Sequence, residues 1–269
     1  MEFLLFFAVF VFGLIIGSFL NVVILRFNTG MPISRGRSKC FSCGKELAWY
    51  ELVPLASFVF QKGACGQCGT KISWQYPLVE LAGGLAALLA FTSVSGAFES
   101  FSLGFAFILL LSLFSFYIVI CAYDIRHKVI PDFFSYGAAL ISLCLIAVFY
   151  FETGFIDPLT VISGPALFLF YFFFWFISKG TWMGLGDAKL ALSVGWALGL
   201  FGGIAATLFA FWVGALVSIC MMLYLKLVRS RVSLTMKSAI PFGPFILIGF
   251  FIVAVFHVNL QAILSVLTL

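Results

Sequence analysis

Long uncharged apolar runs dominate this sequence and restrict its fold more than any other feature. A membrane-spanning helix needs about 20 predominantly apolar residues, and most of these runs reach that length. They cover residues 3–25, 81–98, 100–123, 133–151, 158–178, 190–225 and 238–269. The run at 190–225 is too long for one span, and the glycine-rich segment LGLFGG at 198–203 interrupts it. We therefore predict an all-α polytopic membrane protein with about eight transmembrane helices, the sixth of them short.

The basic residues support this division into helices. All fifteen Lys and Arg residues fall between predicted helices 1–2, 3–4, 5–6 or 7–8. Cytoplasmic loops carry the excess of Lys and Arg in membrane proteins, so these four connections are predicted to be cytoplasmic and both termini to lie outside. The net charge of +5 then reflects orientation and contact with anionic lipid headgroups. No nucleic-acid partner is expected, and the first run is predicted to be a retained helix because it exceeds a signal-peptide core.

The connection between helices 1 and 2 carries two cysteine pairs. CFSC at 40–43 and CGQC at 65–68 form the pattern C-x2-C-x21-C-x2-C, with glycines beside the cysteines that permit tight turns. Such paired knuckles are typical of a four-thiolate zinc site, made here by Cys40, Cys43, Cys65 and Cys68. Two disulfides or a redox pair are less favoured, because a cytoplasmic segment keeps its thiols reduced. The predicted division is a first helix at 1–26, a zinc domain at 27–76 and a seven-helix membrane domain at 77–269.

Two aspartates are predicted to lie at the same cytoplasmic membrane boundary. Asp124 ends predicted helix 3, and Asp187 begins predicted helix 6 within GLGD. Close carboxylates share a proton, so that one acts as a base on water and the other as an acid. Gly184 and Gly186 leave Asp187 open to close approach, and Lys189 is the other charge nearby. Asp132, after Pro131, is predicted to be a helix N-cap. On charge pattern alone, Asp124 pairing with Arg126 or Lys128 stays open.

These motifs together resemble those of the type IV prepilin peptidases, membrane aspartic proteases of the G-x-G-D type. The similarity covers nearly the whole chain. The matching stretches are GSFLNVVILR at 17–26, the cysteine segment at 40–81, YDIRHKVIPD at 123–132, GLGDAKL at 184–190 and IPFGPFILIG at 240–249. RFNTG after helix 1 departs from the family, which more often has a proline at the place of Asn28.

The resemblance implies that Asp124 and Asp187 are the catalytic pair, with Gly184, Gly186, Lys189 and Asp132 in support. It implies cleavage of the N-terminal leader of type IV prepilins or pseudopilins at the cytoplasmic face of a bacterial inner membrane, in pilus assembly or type II secretion. It also implies N-methylation of the new N-terminus with S-adenosylmethionine. No glycine fingerprint marks a methyl-donor site, so the residues that bind this cofactor are not predicted, nor is the oligomeric state.

Three alternative functions are considered beside this one. A peptidase without methyl transfer has the same sequence pattern. An ion-coupled transporter also uses intramembrane acids, but no acid lies in the middle of a predicted helix and no inverted repeat is visible. A zinc-anchored scaffold without chemistry would tolerate replacement of both aspartates.

Overall fold

The computed structural model describes residues 2–94, 101–227 and 241–257, and these are all helix, turn or loop without a β-strand. Eight α-helices and one short 3₁₀ helix, Trp49–Leu52, lie in this part of the chain. The helices are α1 Glu2–Arg26, α2 Ala56–Phe60, α3 Gln75–Ser93, α4 Phe101–His127, α5 Asp132–Thr153, α6 Pro158–Ser178, α7 Leu185–Leu227 and α8 Gly243–Phe256. The prediction of an all-α membrane protein is confirmed. The chain divides into two compact units, Met1–Ala122 and Tyr123–Leu269.

The described residues contain eight apolar helical segments when α7 is counted as two, in agreement with the number predicted from the sequence. Six described helices are long and apolar enough to cross a membrane, and α8 is a shorter apolar helix of 14 residues. α7 runs for 43 residues but contains Gly199 at φ 71° and ψ 179°, which interrupts the helix. This break lies inside LGLFGG, as predicted, and divides α7 into a short first segment and a longer second one. Glycine permits the break because the left-handed region is strained for other residues.

The first unit is built on close packing of α1 against α3. A Cβ placed at Gly13 would lie 2.5 Å from the carbonyl oxygen of Gly83, and one at Gly17 would lie 2.7 Å from the Cα of Glu80. The GLIIG sequence at 13–17 therefore packs as a small-xxx-small motif, which lets two helix backbones approach in a membrane. α3 begins at Gln75, whereas the uncharged run begins at residue 81. The helix can include the buried Glu80 because its carboxylate accepts the Leu55 N–H at 2.8 Å.

The second unit contains α5 to α8, with α7 packed against each of the other three. Ser163 in α6 donates from its hydroxyl to the carbonyl oxygen of Gly195 in α7 at 2.8 Å. Local signals set the helix ends: Asp157 caps α6 by accepting the Leu159 N–H at 3.0 Å, and Gly154 ends α5 in the left-handed conformation. The predicted extension of the last helix to 269 and the basic residues at 229, 231 and 237 lie outside the described residues.

Candidate active site

Asp124 lies in the last turn of α4 and is 4% exposed. Its Oδ2 accepts the backbone N–H of Gly243 at 3.1 Å, at the beginning of α8. The first N–H groups of a helix have no partner within the helix and favour a negative charge nearby. The structure therefore supplies a donor to one oxygen of Asp124 from a residue 119 positions along the chain.

Asp187 lies in the first turn of α7 and is 6% exposed. Its Oδ2 accepts the Gly184 N–H at 3.0 Å, and its own N–H donates to the Gly184 carbonyl oxygen at 3.2 Å. This is the return half of a capping box, in which an acid in the first turn bonds back to the N-cap backbone. The bond holds the Asp187 side chain at the helix end instead of letting it extend into solvent.

The two carboxylates both lie within the second unit and within electrostatic range of one another. Asp187 lies near enough to Asp124 for their negative charges to repel one another. The pair predicted from the sequence is thus brought together, and each member has one oxygen held by a backbone N–H. The arrangement has the parts that acid–base hydrolysis needs: two adjacent buried carboxyl groups, each fixed by a backbone donor.

Aromatic side chains close one side of this region. Tyr171 of α6 is fully buried, and its hydroxyl lies 3.4 Å from the Thr207 hydroxyl oxygen. Its ring lies 6.4 Å from that of Phe242, the residue before Gly243. Tyr171 also lies within electrostatic range of Asp187. These residues help to exclude water from the protein side of the carboxylates.

Asp132 is not the helix cap that was predicted. Pro131 occupies the N-cap position of α5, with no side-chain cap bond, and Asp132 is the first helical residue. Its Oδ1 instead accepts from the Lys189 ammonium at 2.6 Å. Lys189 also lies 5.1 Å above the ring of Tyr136. The capping prediction is wrong because a partner on α7, distant in sequence, binds the carboxylate.

The Asp132–Lys189 ion pair should affect the rate of leader cleavage without being essential for it. We expect Asp132→Asn to lower leader cleavage by no more than about fivefold, since Asp132 is 65% exposed and an exposed ion pair contributes about 0.2–1 kcal/mol. The measurement is the cleavage rate of Asp132→Asn, Lys189→Gln and the double variant. A loss as large as that from replacing a catalytic acid would show that Asp132 takes part in the chemistry.

The four cysteines lie on two turns of the same construction. In the first turn the Cys40 N–H donates to the Lys45 carbonyl at 2.9 Å, and in the second the Cys65 N–H donates to the Thr70 carbonyl at 2.8 Å. Gly44 and Gly69 each donate back to the first cysteine of their turn and adopt positive φ angles. Glycine is needed at these two positions because the turn passes through the left-handed region.

The turns bring the four thiols into one cluster. The Sγ atoms of Cys40, Cys43, Cys65 and Cys68 all lie within 4.8 Å of one another, and those of Cys40 and Cys68 are 3.8 Å apart. A tetrahedral zinc ion with Zn–S bonds of about 2.3 Å requires sulfur atoms about 3.8 Å apart. The cluster therefore has the ligand type, number and spacing to hold a metal ion, as the sequence predicted.

Neighbouring polar groups brace this cluster. Lys45 donates to Glu51 at 2.9 Å, and this bond, together with the Ala48 N–H, lowers the pKa of the Glu51 carboxyl. Hydrogen bonding with Thr70 lowers the pKa of the Cys68 thiol to about 6, which favours the thiolate. Against a hydrogen bond from the Lys45 backbone, burial and the neighbouring thiols raise the pKa of Cys43 to about 11, so the four thiols differ in how readily they ionise. The remaining cysteines, Cys121, Cys144 and Cys220, lie on helices outside this cluster and form no disulfide.

The polar end of α1 has contacts within its own unit. Asn21 donates to the Tyr76 carbonyl at 3.1 Å, and Arg26 donates to the carbonyl oxygens of Pro32 and Arg35 at 2.9 and 2.8 Å. Arg26 therefore anchors the start of the loop that leads to the cysteines. No residue of this region is identified as a methyl-donor ligand by these contacts.

Comparison with known proteins agrees with this geometry. The Bacterial Peptidase A24 N-terminal domain matches residues 11–94, and the Type IV leader peptidase family matches residues 111–219. A Bacillus subtilis (strain 168) protein named prepilin leader peptidase/N-methyltransferase is 31% identical over 245 residues, covering 89% of this chain and 90% of that protein. The chain belongs to the type IV leader peptidase family.

Other relatives with the same name extend the similarity within the family. One from Myxococcus xanthus (strain DK1622) is 34% identical and matches 81% of this chain, which spans 64% of that relative's length. One from Vibrio cholerae is 29% identical, with 90% of this chain and 92% of that protein covered. No solved structure matches the chain. The many apolar helices and these relatives make this leader peptidase family member a multi-pass inner-membrane protein.

Two residues that lie beside the carboxylates, Gly243 and Ile130, were not predicted from the sequence to belong to the site. Gly243 lies within the stretch IPFGPFILIG at 240–249, and Ile130 lies within YDIRHKVIPD at 123–132. A glycine followed by proline at the start of an apolar run is a visible helix-start signal, but nothing local indicates that its N–H faces Asp124. Ile130 has no chemical signal at all, since an apolar residue beside a membrane helix is ordinary.

Proposed function

We propose that this chain is a membrane aspartic endopeptidase that removes the N-terminal leader of type IV prepilins or pseudopilins and N-methylates the new N-terminus. The observation that carries the peptidase is the pair of buried, backbone-held carboxylates at the ends of α4 and α7. The relatives are named for both activities, which supports the proposal. The catalytic roles of Asp124 and Asp187 are part of this proposal, with Gly184, Gly186, Lys189 and Asp132 in support.

The chemistry requires the two carboxyl groups to share one proton. The ionised carboxylate removes a proton from water, and the water oxygen attacks the carbonyl carbon of the scissile peptide bond. The protonated carboxyl group stabilises the carbonyl oxygen by a hydrogen bond. The C–N bond then breaks as the leaving amine takes up the proton that the other carboxylate removed from water, which restores the original pair with one shared proton. The backbone donors Gly243 and Gly184 occupy one oxygen of each carboxyl group, which leaves the other oxygen for water and substrate.

Substrate access follows from the proposed orientation. The basic connections are placed in the cytoplasm and both termini outside, so the zinc domain and both aspartates face the cytoplasm. The apolar helix of a prepilin lies in the bilayer beside the enzyme, and its polar leader reaches the aspartates from the cytoplasm. The basic connections favour an acidic residue near the cleavage point and disfavour a basic leader.

The cysteine cluster is proposed to hold one structural zinc ion. Four thiolates leave no open coordination position, which is the arrangement of structural sites. The residues between α1 and α3 contain only the five-residue α2 and a short 3₁₀ helix, too little to build a core by themselves. When bound, the zinc supplies the cross-link that holds the two turns together.

Methyl transfer is proposed to depend on the N-terminal part of the chain, the zinc segment 27–76 together with Asn21 and Arg26 at the polar end of α1. The reaction moves a methyl group from the sulfonium of S-adenosylmethionine to the new N-terminal amine, which releases a proton. It needs a positioned amine and a bound donor, and neither requires the two aspartates. The zinc-braced segment is a polar surface that the peptidase mechanism does not use. Methyl transfer should therefore depend on whether this segment is folded.

Incubating purified protein with a prepilin and S-adenosylmethionine tests the proposal. Mass spectrometry of the product should show loss of the leader and one added methyl group at the new N-terminus. Cleavage without methylation identifies a peptidase alone. An intact prepilin after incubation with correctly inserted protein would contradict the peptidase.

The two activities should separate. We expect Asp187→Asn protein to methylate a pilin whose leader has already been removed, because the aspartates take no part in methyl transfer. The measurement is transfer of labelled methyl from S-adenosylmethionine to pre-cut pilin. Loss of transfer in Asp187→Asn would show that the two reactions share the aspartate site.

A further inference from the structure

Ile130 occupies the short connection between α4 and α5 and is turned into the protein. Lys128 adopts a left-handed conformation at φ 56° after the end of α4, and its N–H donates to the Asp124 carbonyl at 2.7 Å. Pro131 then precedes α5. The connection is therefore tight, and it carries the Ile130 side chain into a buried position at 8% exposure.

The Ile130 side chain contacts the glycine that precedes Asp187. A Cβ placed at Gly186 would lie 2.8 Å from the Ile130 Cβ, and 3.4 and 3.5 Å from its Cγ1 and Cδ1. The whole length of the isoleucine thus lies along the beginning of α7. Any residue other than glycine at 186 would push Ile130 and α7 apart.

The far end of the same side chain contacts the glycine that binds Asp124. A Cβ placed at Gly243 would lie 3.1 Å from the Ile130 Cδ1 and 2.7 Å from the Asp124 Oδ2. One side chain therefore lies between the backbone next to Asp187 and the backbone donor to Asp124. Gly186 and Gly243 come from helix starts far apart in sequence, and Ile130 is their common neighbour.

We propose that Ile130 is a positioning residue: it acts as a spacer between Gly186 and Gly243 that sets the separation of the Asp124 and Asp187 carboxyl groups. The inference rests on the proposed function, since it assigns a role within that site. Ile130 has no polar atom and acts on the reaction only through the backbone positions that it fixes.

The physical basis is close packing by a stiff side chain. Isoleucine is branched at Cβ and has few side-chain conformations, and protein interiors transmit changes in volume as small as one methylene. Two carboxyl groups that share a proton and a water molecule tolerate little displacement, and a shift of about 1 Å can cost about 100-fold in rate. Glycine at 186 and 243 lets the two helix starts rest directly on the spacer.

Replacing the spacer should reduce the rate of the chemical step without weakening substrate binding. We expect Ile130→Ala to lower kcat for leader cleavage by about 100-fold, with KM nearly unchanged and methyl transfer to pre-cut pilin unchanged. Ile130→Val, which retains the branched Cβ and loses Cδ1, should have a smaller effect. The matched control is Leu145→Ala, which removes a buried aliphatic side chain from α5, 13 residues or about 20 Å of helix from Asp132.

The glycine contacts provide a sharper test, because different atoms of Ile130 approach the two glycines most closely. Gly186→Ala and Gly243→Ala should each lower kcat. Ile130→Val removes Cδ1, the spacer atom nearest position 243, but retains the Cβ that meets position 186. It should therefore recover part of the activity lost in Gly243→Ala and none of that lost in Gly186→Ala. Non-additivity of this kind indicates direct contact.

Parallel assays of Asp124→Asn and Asp187→Asn separate this proposal from the proposed function. If both aspartate variants are inactive while Ile130→Ala and Ile130→Val cleave at the wild-type rate, the spacer role is wrong and the peptidase assignment stands. An equal kcat loss in Leu145→Ala would also overturn it, since general destabilisation would then explain the effect. If the aspartate variants cleave normally, both proposals fail.

Discussion

Asp124→Asn and Asp187→Asn are each expected to abolish leader cleavage, with rates at least about 10³-fold below wild type. Acid–base catalysis by a positioned side chain contributes about 10²- to 10⁴-fold, and a carboxyl pair loses both functions when one member cannot share the proton. Each amide keeps an oxygen that can accept the same backbone N–H, from Gly243 at position 124 or from Gly184 at position 187. The substitution therefore tests the charge and the proton while preserving the hydrogen bond. Initial rates of prepilin cleavage provide the measurement.

Asp157→Asn is the matched control for these variants. Asp157 caps α6 by accepting the Leu159 N–H, and asparagine caps a helix about as well as aspartate. This variant should cleave at the wild-type rate. Expression and zinc content should be equal in all three proteins, which separates catalysis from folding. Near-normal cleavage by either catalytic-site variant would exclude the two-aspartate mechanism.

Removal of the metal site should have the second largest effect. Wild-type protein is expected to bind about one zinc ion per chain, and replacing Cys40 and Cys43 together by Ser should release it, because two of its four thiolate ligands are lost. Folding of small metal domains depends on the binding free energy of the ion. Residues 27–76 should then become sensitive to proteases, and methyl transfer should fall at least as far as cleavage. Elemental analysis and limited proteolysis measure these outcomes.

Cys220→Ser is the control, since Cys220 is a free, exposed cysteine of α7 outside the cluster. It should keep the zinc and both activities. Wild-type protein that contains no metal and two disulfides would contradict the zinc assignment, and with it the cytoplasmic placement of this domain, since cytoplasmic thiols stay reduced.

The sequence by itself determined the local structure of this protein. Apolar runs about as long as a bilayer is thick predict helices with little ambiguity, because a backbone in lipid must satisfy its own hydrogen bonds. The break in α7 was predictable from LGLFGG, and Gly199 provides it. The cysteine cluster was predictable because its spacing repeats and each turn is closed by its own local hydrogen bonds. The basic loops predicted Asp124 and Asp187 at one membrane boundary, and the resemblance to the G-x-G-D peptidases implied that they form a pair.

The tertiary structure decided which distant residues meet. The donor to Asp124 is Gly243, 119 positions away, and the partner of Asp132 is Lys189, 57 positions away. The local sequence around Asp132 predicted a helix cap, because a local pattern contains information only about neighbours in sequence. The ion pair with Lys189 instead depends on how α5 packs against α7. The contact of Ile130 with Gly186 and Gly243 is of the same kind. Periodicity and spacing specify single helices, but the contacts between them depend on side-chain shape at each crossing, which only the packed structure contains.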